Sequence, residues 1–352
     1  MDATSTYKDT VLASIDDDDD DAVVLDLTPS RLIKADARLA AIKLSAHEAR
    51  YLVDTYYQKQ EDRKRSTNQV RALSESGEPG FAVAYLAREA RVLEEISKYM
   101  LGEYAASQPI GEWAQSITGI GPVISAGLMA YIDIEQAPTV GHIWRHAGLD
   151  PTQQWLGSEK VRAIVNTHLG KKKPTEDDVR VIAAKVSGLN AESALRIATT
   201  KRDGSGQKLT ADGIIKAFSR RPWNAQLKQL CWKVGECFVK FSNHPSDIYG
   251  KVYAERKAQE TEKNVNKDYA DQASVGAARV GKSTDAYTHY STGMLPPAQI
   301  HARAKRYAVK LFLAHWHHVA YESHFGTPPP KPYVLEHMGH AHYIAPPNWP
   351  LR

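Results

Sequence analysis

The sequence predicts an all-α fold: a multi-helix protein with a long N-terminal helical hairpin, a helix-hairpin-helix and a basic helical C-terminal region. Three observations carry that prediction. Apolar residues recur at helical spacing at 52–57, in the first half of a helix expected over 45–74 whose second half is nearly all polar, and through 81–104, 223–241 and 297–321. Strand character is confined to one short run, Ala22-Val-Val-Leu-Asp-Leu27, and no further strand follows it. Finally, Ile117-Thr-Gly-Ile-Gly-Pro122 followed by the apolar run Val123–Ile132 reads as two helices joined by a tight glycine turn.

Residues 1–30 hold nine aspartates, six of them in the run Asp16–Asp21, against Lys8 alone. A self-repelling run that buries nothing predicts a disordered acidic tail. Two roles fit it, a solvated tail or a nucleic-acid mimic that competes for a basic surface. The segment 31–108 follows as a helical arm. Ser45 with Glu48 forms a capping box, and Leu52, Val53, Tyr56 and Tyr57 make an apolar stripe. Ser76-Gly-Glu-Pro-Gly80 breaks the chain, and Phe81–Tyr104 resumes it with Leu86, Val92, Leu93, Ile96 and Met100 in helical register. Two such helices around a Gly-Pro break predict an antiparallel hairpin, with a homo-oligomer formed through it as one use.

The segment 109–165 carries the most informative motif. A helix arrives through Trp113 and Ile117, and the backbone turns at Gly119-Ile120-Gly121. Pro122 stands at a first-turn position, where its missing N–H costs nothing. Such a turn can present backbone amides at a helix N-terminus, which holds phosphate without reading bases. A tight turn between two core helices is the alternative. Downstream come Thr139-Val-Gly-His-Ile-Trp-Arg-His-Ala-Gly-Leu-Asp-Pro151 and Gly157-Ser-Glu-Lys160.

In this order, Thr118–Pro122, Ala147-Gly-Leu-Asp-Pro151 and Gly157–Lys160 resemble the C-terminal domain of the insertion-sequence transposases of the IS110/IS116/IS902 family. The resemblance covers residues 109–165 and weakens beyond them. It implies DNA or structured RNA as partner and DNA transposition as the process. It also implies a nucleophilic serine after the Ala-Gly-Leu-x-Pro element, and Ser158 is the nearest serine. A hydroxyl needs an activating base, which the sequence does not supply beside Ser158, and Trp155 stands near the expected position. The family's acidic nuclease domain, which would hold magnesium, has no counterpart in the helical segment ahead of Ile117. Ser158 is therefore either an ordinary loop residue or a nucleophile working with a partner, and magnesium is implied only if the chain is catalytic. The residues expected to contact nucleic acid are Gly119, Ile120, Gly121, Lys160, Arg162, Arg220, Arg221 and Lys228.

Residues 166–207 read as a helical insertion. Lys171-Lys-Lys-Pro174 leads to an N-cap at Thr175 with acids over the helix start. Ser187-Gly-Leu-Asn190 then turns the chain into a second short helix, Ala191–Thr199. Two short helices around a glycine turn fit a DNA-reading helix-turn-helix or any helical insertion. Residues 208–325 are a basic helical region. Leu227, Leu230, Cys231, Val234 and Phe238 form one apolar face, with Lys228, Lys233 and Lys240 away from it or at its margins. Asn266–Pro297, polar and Gly/Ser-rich, is expected to be a loop. The last helix begins at Pro297, and residues 326–352 form an extended Pro/His-rich tail.

The formal charge is +4, of which the first thirty residues contribute −8, leaving +12 on the remainder. That balance favours a polyanionic partner. Cys231 and Cys237 give no disulfide framework and no complete metal site. His315, His317, His318, His337, His340 and His342 match no strong metal template, so no metal site is expected. No apolar run reaches the length of a membrane span. A cytoplasmic protein without membrane contact is the resulting expectation.

Overall fold

The computed structural model describes residues 33–186, 189–330 and 344–351. The acidic run, the Ala22–Leu27 segment and His337, His340 and His342 lie outside them. The fold is all-α: the described residues form fifteen helices and a single isolated antiparallel bridge, Thr200–Gly206.

After the short α1 (Ala35–Ile42), α2 (Ala46–Glu75) and α3 (Phe81–Ala106) make the antiparallel arm. The Ser45 hydroxyl accepts from the Glu48 amide at 3.2 Å, and the Glu48 carboxylate accepts from the Ser45 amide at 2.8 Å. Both orphan donors of that helix start are thereby satisfied. The register of the arm is fixed by Glu94, 5% exposed, which accepts from Gln60 and Arg63 at 3.1 and 2.8 Å. Near the turn, Val70 and Ala84 close the tip.

The base of the arm enters the main core. Here α4 (Pro109–Gln115), α5 (Pro122–Tyr131) and α6 (Val140–His146) meet α11 (Ala225–Lys240), α12 (Tyr249–Val265) and α15 (Pro297–Phe325). Helix α5 is the centre, with all but Pro122 and Met129 buried. Gly127 lets α11 approach it, since a Cβ there would stand 2.8 Å from Leu230. Gly111 does the same for the approach of α4 to α3 and α5: its Cβ would sit 2.0 Å from the Ala105 carbonyl of α3 and 2.8 Å from the Met129 sulfur of α5. In the same core Trp113 stacks on Phe312, and Phe312 meets Phe238 and Tyr249 edge-on. The C-terminal residues close over the core: the Trp113 indole donates to the Pro347 carbonyl at 2.7 Å, and the Trp349 indole to Glu322 at 2.9 Å. His315 is buried and neutral, its pKa pushed down to about 4 by burial. It lies between the Tyr249 hydroxyl and the Ile344 carbonyl.

A second core belongs to α7 (Gly157–Leu169), α8 (Glu176–Lys185), α9 (Ala191–Thr199) and α10 (Ala211–Phe218). A third corrects the sequence expectation. Residues 266–297 are not a loop but carry α13 (Ala270–Ala277) and α14 (Asp285–Ser291). Tyr269, Ala273, Tyr290, Leu295 and Ile300 pack together there, and Gly276 leaves room for the Tyr290 ring. The Asn264 side chain both donates to and accepts from Leu295. Two tyrosines and one asparagine anchor a segment whose composition alone reads as irregular.

Glu260 ties this segment to α12 and α15. Its carboxylate, 1% exposed, is held by Arg256 and Arg303 at 2.6 Å each and accepts from the Tyr269 hydroxyl at 2.6 Å. Burial works against the charge, but these donors outweigh it and lower the Glu260 pKa. Glu260→Ala strands two cations and is expected to cost about 3–5 kcal/mol. A carboxylate with a depressed folded pKa stabilises above its unfolded value and loses that contribution as pH falls through the folded one. Thermal unfolding on an acid series should therefore show wild type losing its advantage over Glu260→Ala below the ordinary glutamate range.

Candidate nucleic-acid interface

The hairpin forms from α4, the turn 116–121 and α5. Gly119 adopts φ +89°, a conformation that favours glycine. It backs onto the end of α11, where an added Cβ would lie 3.0 Å from Phe241. Gly121 differs: it is exposed, N-caps α5 with φ −91°, and has open space around it. Ile120 is 3% exposed in the main core, and its amide donates to the Ile117 carbonyl at 2.9 Å. That residue therefore leaves the expected contact set, because side chain and amide are both spent inside the fold. The outward part of the turn is Gly121, followed by the half-buried Pro122. Thr118 fixes it from the side by donating to the Ser246 carbonyl.

A second surface gathers at the other end of α11. Ala147-Gly-Leu-Asp-Pro151 forms its floor. Gly148, at φ +65°, lies under Trp223 and Lys228: a Cβ would stand 2.8 Å from the indole. Each indole on this side carries a cation. Lys228 lies 4.0 Å over Trp223, Lys310 4.0 Å over Trp144, and Arg221 4.7 Å over Trp155. Trp232 has Lys305 at 5.5 Å. Trp155 and Trp232 remain 42% and 57% exposed.

The cations crowd one another. Burial first, then Arg306 and Arg221, lower the Lys228 pKa. Burial likewise lowers that of Lys310, with Arg306 adding to it and Asp150 opposing. Asp150 is already engaged. Partial burial disfavours its charge, yet Thr152 and Arg145 hold its pKa below the usual carboxylate range. An excess of closely spaced positive charge suits a phosphate backbone, and the exposed Trp155 and Trp232 add apolar contact beside it.

Arg221 and Lys228 thus come together with Arg306 and Lys310, while Arg220 lies exposed beside them in sequence. Lys160 and Arg162 stand exposed on α7, in the second core. Lys228 and Cys237, the residue against Gly119, are about two and a half helical turns apart on α11 and so face opposite ways. The hairpin and the basic surface are separate places. Ser158 is exposed in the first turn of α7, and among the described residues none of the recorded hydrogen bonds involves its side chain. Among the described residues no cluster of three or more His, Cys, Asp or Glu could hold a metal ion, and no helix is long and apolar enough to cross a membrane.

Residues 112–167 match the model of the transposase IS116/IS110/IS902 family. The match runs from Glu112 through the hairpin, α5, α6 and the Ala147–Pro151 floor into α7. It bears out the resemblance read from the sequence and leaves the arm and the rest of the chain outside. No curated protein and no solved structure matches the chain.

Sequence reasoning read Arg306 and Lys310 only as part of the basic edge of the last helix, and did not join them to Trp144, Trp155 and Trp223. They are spread from 144 to 310, and no local spacing joins them. The available signal was that four of the seven tryptophans fall between 144 and 232, in the most basic part of the chain.

The two hairpin glycines should separate experimentally. Gly119→Val forces a β-branched residue to positive φ, at about 1–3 kcal/mol, and drives its side chain into Phe241. Gly121→Val meets no neighbour at its Cβ. Thermal unfolding should show a clear loss for the first and little change for the second; equal losses would contradict the described turn.

Proposed function

We propose that this chain is a DNA-binding protein related to insertion-sequence transposases, gripping the phosphate backbone through the Ala147–Pro151 surface and the exposed Gly121 at the N-cap of α5. One observation carries the reading: Lys228 and Lys310 sit over the Trp223 and Trp144 rings beside the matched floor, Arg221 and Arg306 lie close enough to disfavour their charge, and the floor's own carboxylate, Asp150, is already held by Arg145. Bound phosphates would relieve that repulsion and release counterions. The hairpin contributes as a second backbone contact through Gly121. Structured RNA offers the same phosphates, and the helical arm offers a surface for a second copy.

Fluorescence anisotropy across a salt series tests the reading, using duplex, branched and single-stranded DNA and an RNA hairpin. Log affinity for duplex should fall linearly with log salt, by roughly 0.9 per phosphate contacted. Arg221→Gln with Lys228→Gln should flatten that slope by about two. Lys228→Gln alone should change thermal stability little, since relief of the crowding by Arg221 and Arg306 offsets the lost contact with Trp223. A flat salt response in wild type, or an unchanged slope in the double variant, contradicts the reading.

A second reading, a serine-type transposase or recombinase, rests on Ser158 lying within the matched residues and three positions from Trp155. Magnesium and a partner supplying acidic residues belong to that reading. Incubation with supercoiled or nicked DNA and magnesium, then denaturation, should yield no protein-linked DNA from the chain alone. An adduct that Ser158→Ala abolishes would establish the catalytic reading instead.

A further inference from the structure

We propose that residues 157–218 form a second DNA-binding module with winged-helix geometry, in which α9 reads the major groove of duplex DNA and the hairpin that follows it touches the adjacent backbone. This goes beyond the backbone grip at α11 and does not depend on it.

The segment is built as a self-contained insertion. Val161, Val165, Ile182, Ala194, Ala198, Ile214 and Phe218 close a core of their own. Its entry and exit meet at a neck, where the Trp155 indole donates to the Ser219 carbonyl at 2.9 Å. Just beyond, the Asn224 amide donates to the His146 carbonyl at 2.9 Å. The order of parts is three helices, a hairpin and a fourth helix. Helices α8 and α9 are five residues apart, the spacing of a helix-turn-helix with its caps. Helix α9 buries Ala194 and Ala198 inward and leaves Glu192 and Arg196 exposed. Its start is fixed by Asn190, whose side chain accepts from the Ser193 amide at 2.7 Å.

The hairpin is the part that the sequence did not reveal. The Gln207 amide donates to the Thr199 carbonyl and the Lys201 amide to the Ser205 carbonyl, both at 2.7 Å. At the tip, Gly204 has φ +84° and the Asp203 carboxylate accepts from the Ser205 amide and hydroxyl. A tied two-stranded turn thus projects directly from the C-terminal end of α9. It presents Lys201, Arg202 and Lys208, all exposed.

Charge selects the occupant. Residues 157–218 carry twelve lysines and arginines against seven acids. Three of those acids are gathered at the start of α8, where Asp178 pairs with His168 and Asp177 with Arg180. A polyanion fits the rest. Duplex DNA fits better than single strands, because the exposed side chains of α9 and the hairpin include no aromatic ring for a base to stack on. Glu192 and Arg196 stand one helical turn apart. In the major groove a glutamate accepts from cytosine N4 and an arginine pairs with guanine O6 and N7. The module therefore favours G·C pairs at two nearby positions.

Selection of the full chain on duplexes with a randomised centre tests the proposal. Wild type should enrich a short G·C-containing motif. Arg196→Ala should erase the preference at one position, by about tenfold or more, and leave the others. Lys201→Ala with Arg202→Ala should weaken binding to every sequence and reduce the salt slope by about two. All three changes are on exposed residues, and circular dichroism confirms folding. Absence of any enriched motif overturns the proposal, as does an enriched motif that Arg196→Ala leaves intact. A wing variant that loses RNA-hairpin binding but not duplex binding would assign the surface to RNA and overturn it as well. Loss of the α11 surface through Arg221→Gln and Lys228→Gln should lower affinity without changing the motif, so the two readings fail separately.

Discussion

Burial of α5 is the constraint on which the rest of the molecule depends. A helix of Pro122-Val-Ile-Ser-Ala-Gly-Leu-Met-Ala-Tyr131 has no polar face, so it is stable only when other elements surround it. The arm supplies Ala49 and Val53 from one side, and Arg50 donates to the Ala130 carbonyl at 2.7 Å. Helix α11 supplies Leu230 where Gly127 makes space. The same packing fixes the preceding turn. With Gly119 against Phe241 and Ile120 in the core, Gly121 is left exposed at the N-cap of α5.

The path of α11 turns this packing into two surfaces. One end backs the hairpin, and the other carries Lys228 and Trp232 toward the Ala147–Pro151 floor. Glycines permit both approaches. Gly148 admits Trp223, as Gly119 admits Phe241. The aromatic rings hold the cations by cation–π contact, and of these rings Trp155 and Trp232 remain exposed.

Much of the fold was legible because helix signals are local. The Ser45 and Thr175 caps, the Pro122 start and the apolar registers of α2, α3, α11 and α15 all read directly from spacing. Residues 266–297 were not legible in that way. Their helices are short and polar, and what orders them is long-range: Asn264 to Leu295, Glu260 to Arg303 and Tyr269. The candidate site divided similarly. Gly119, Gly121, Arg221 and Lys228 could be named from motif and charge. The tryptophan partners and Lys310 could not, because tertiary packing alone joins residues 144 and 310. Ile120 failed as a contact for the opposite reason, since an isoleucine between two glycines serves the core.

The most direct test of the account is photo-crosslinking of the full chain to duplex DNA carrying halogenated pyrimidines, followed by mapping of the modified peptides. Adducts on peptides spanning 139–156 or 219–236, at Trp155 or Trp232, are the predicted result. Adducts confined to the arm at 46–106, with none on either of those peptides, would contradict the placement of the DNA grip on the α11 surface.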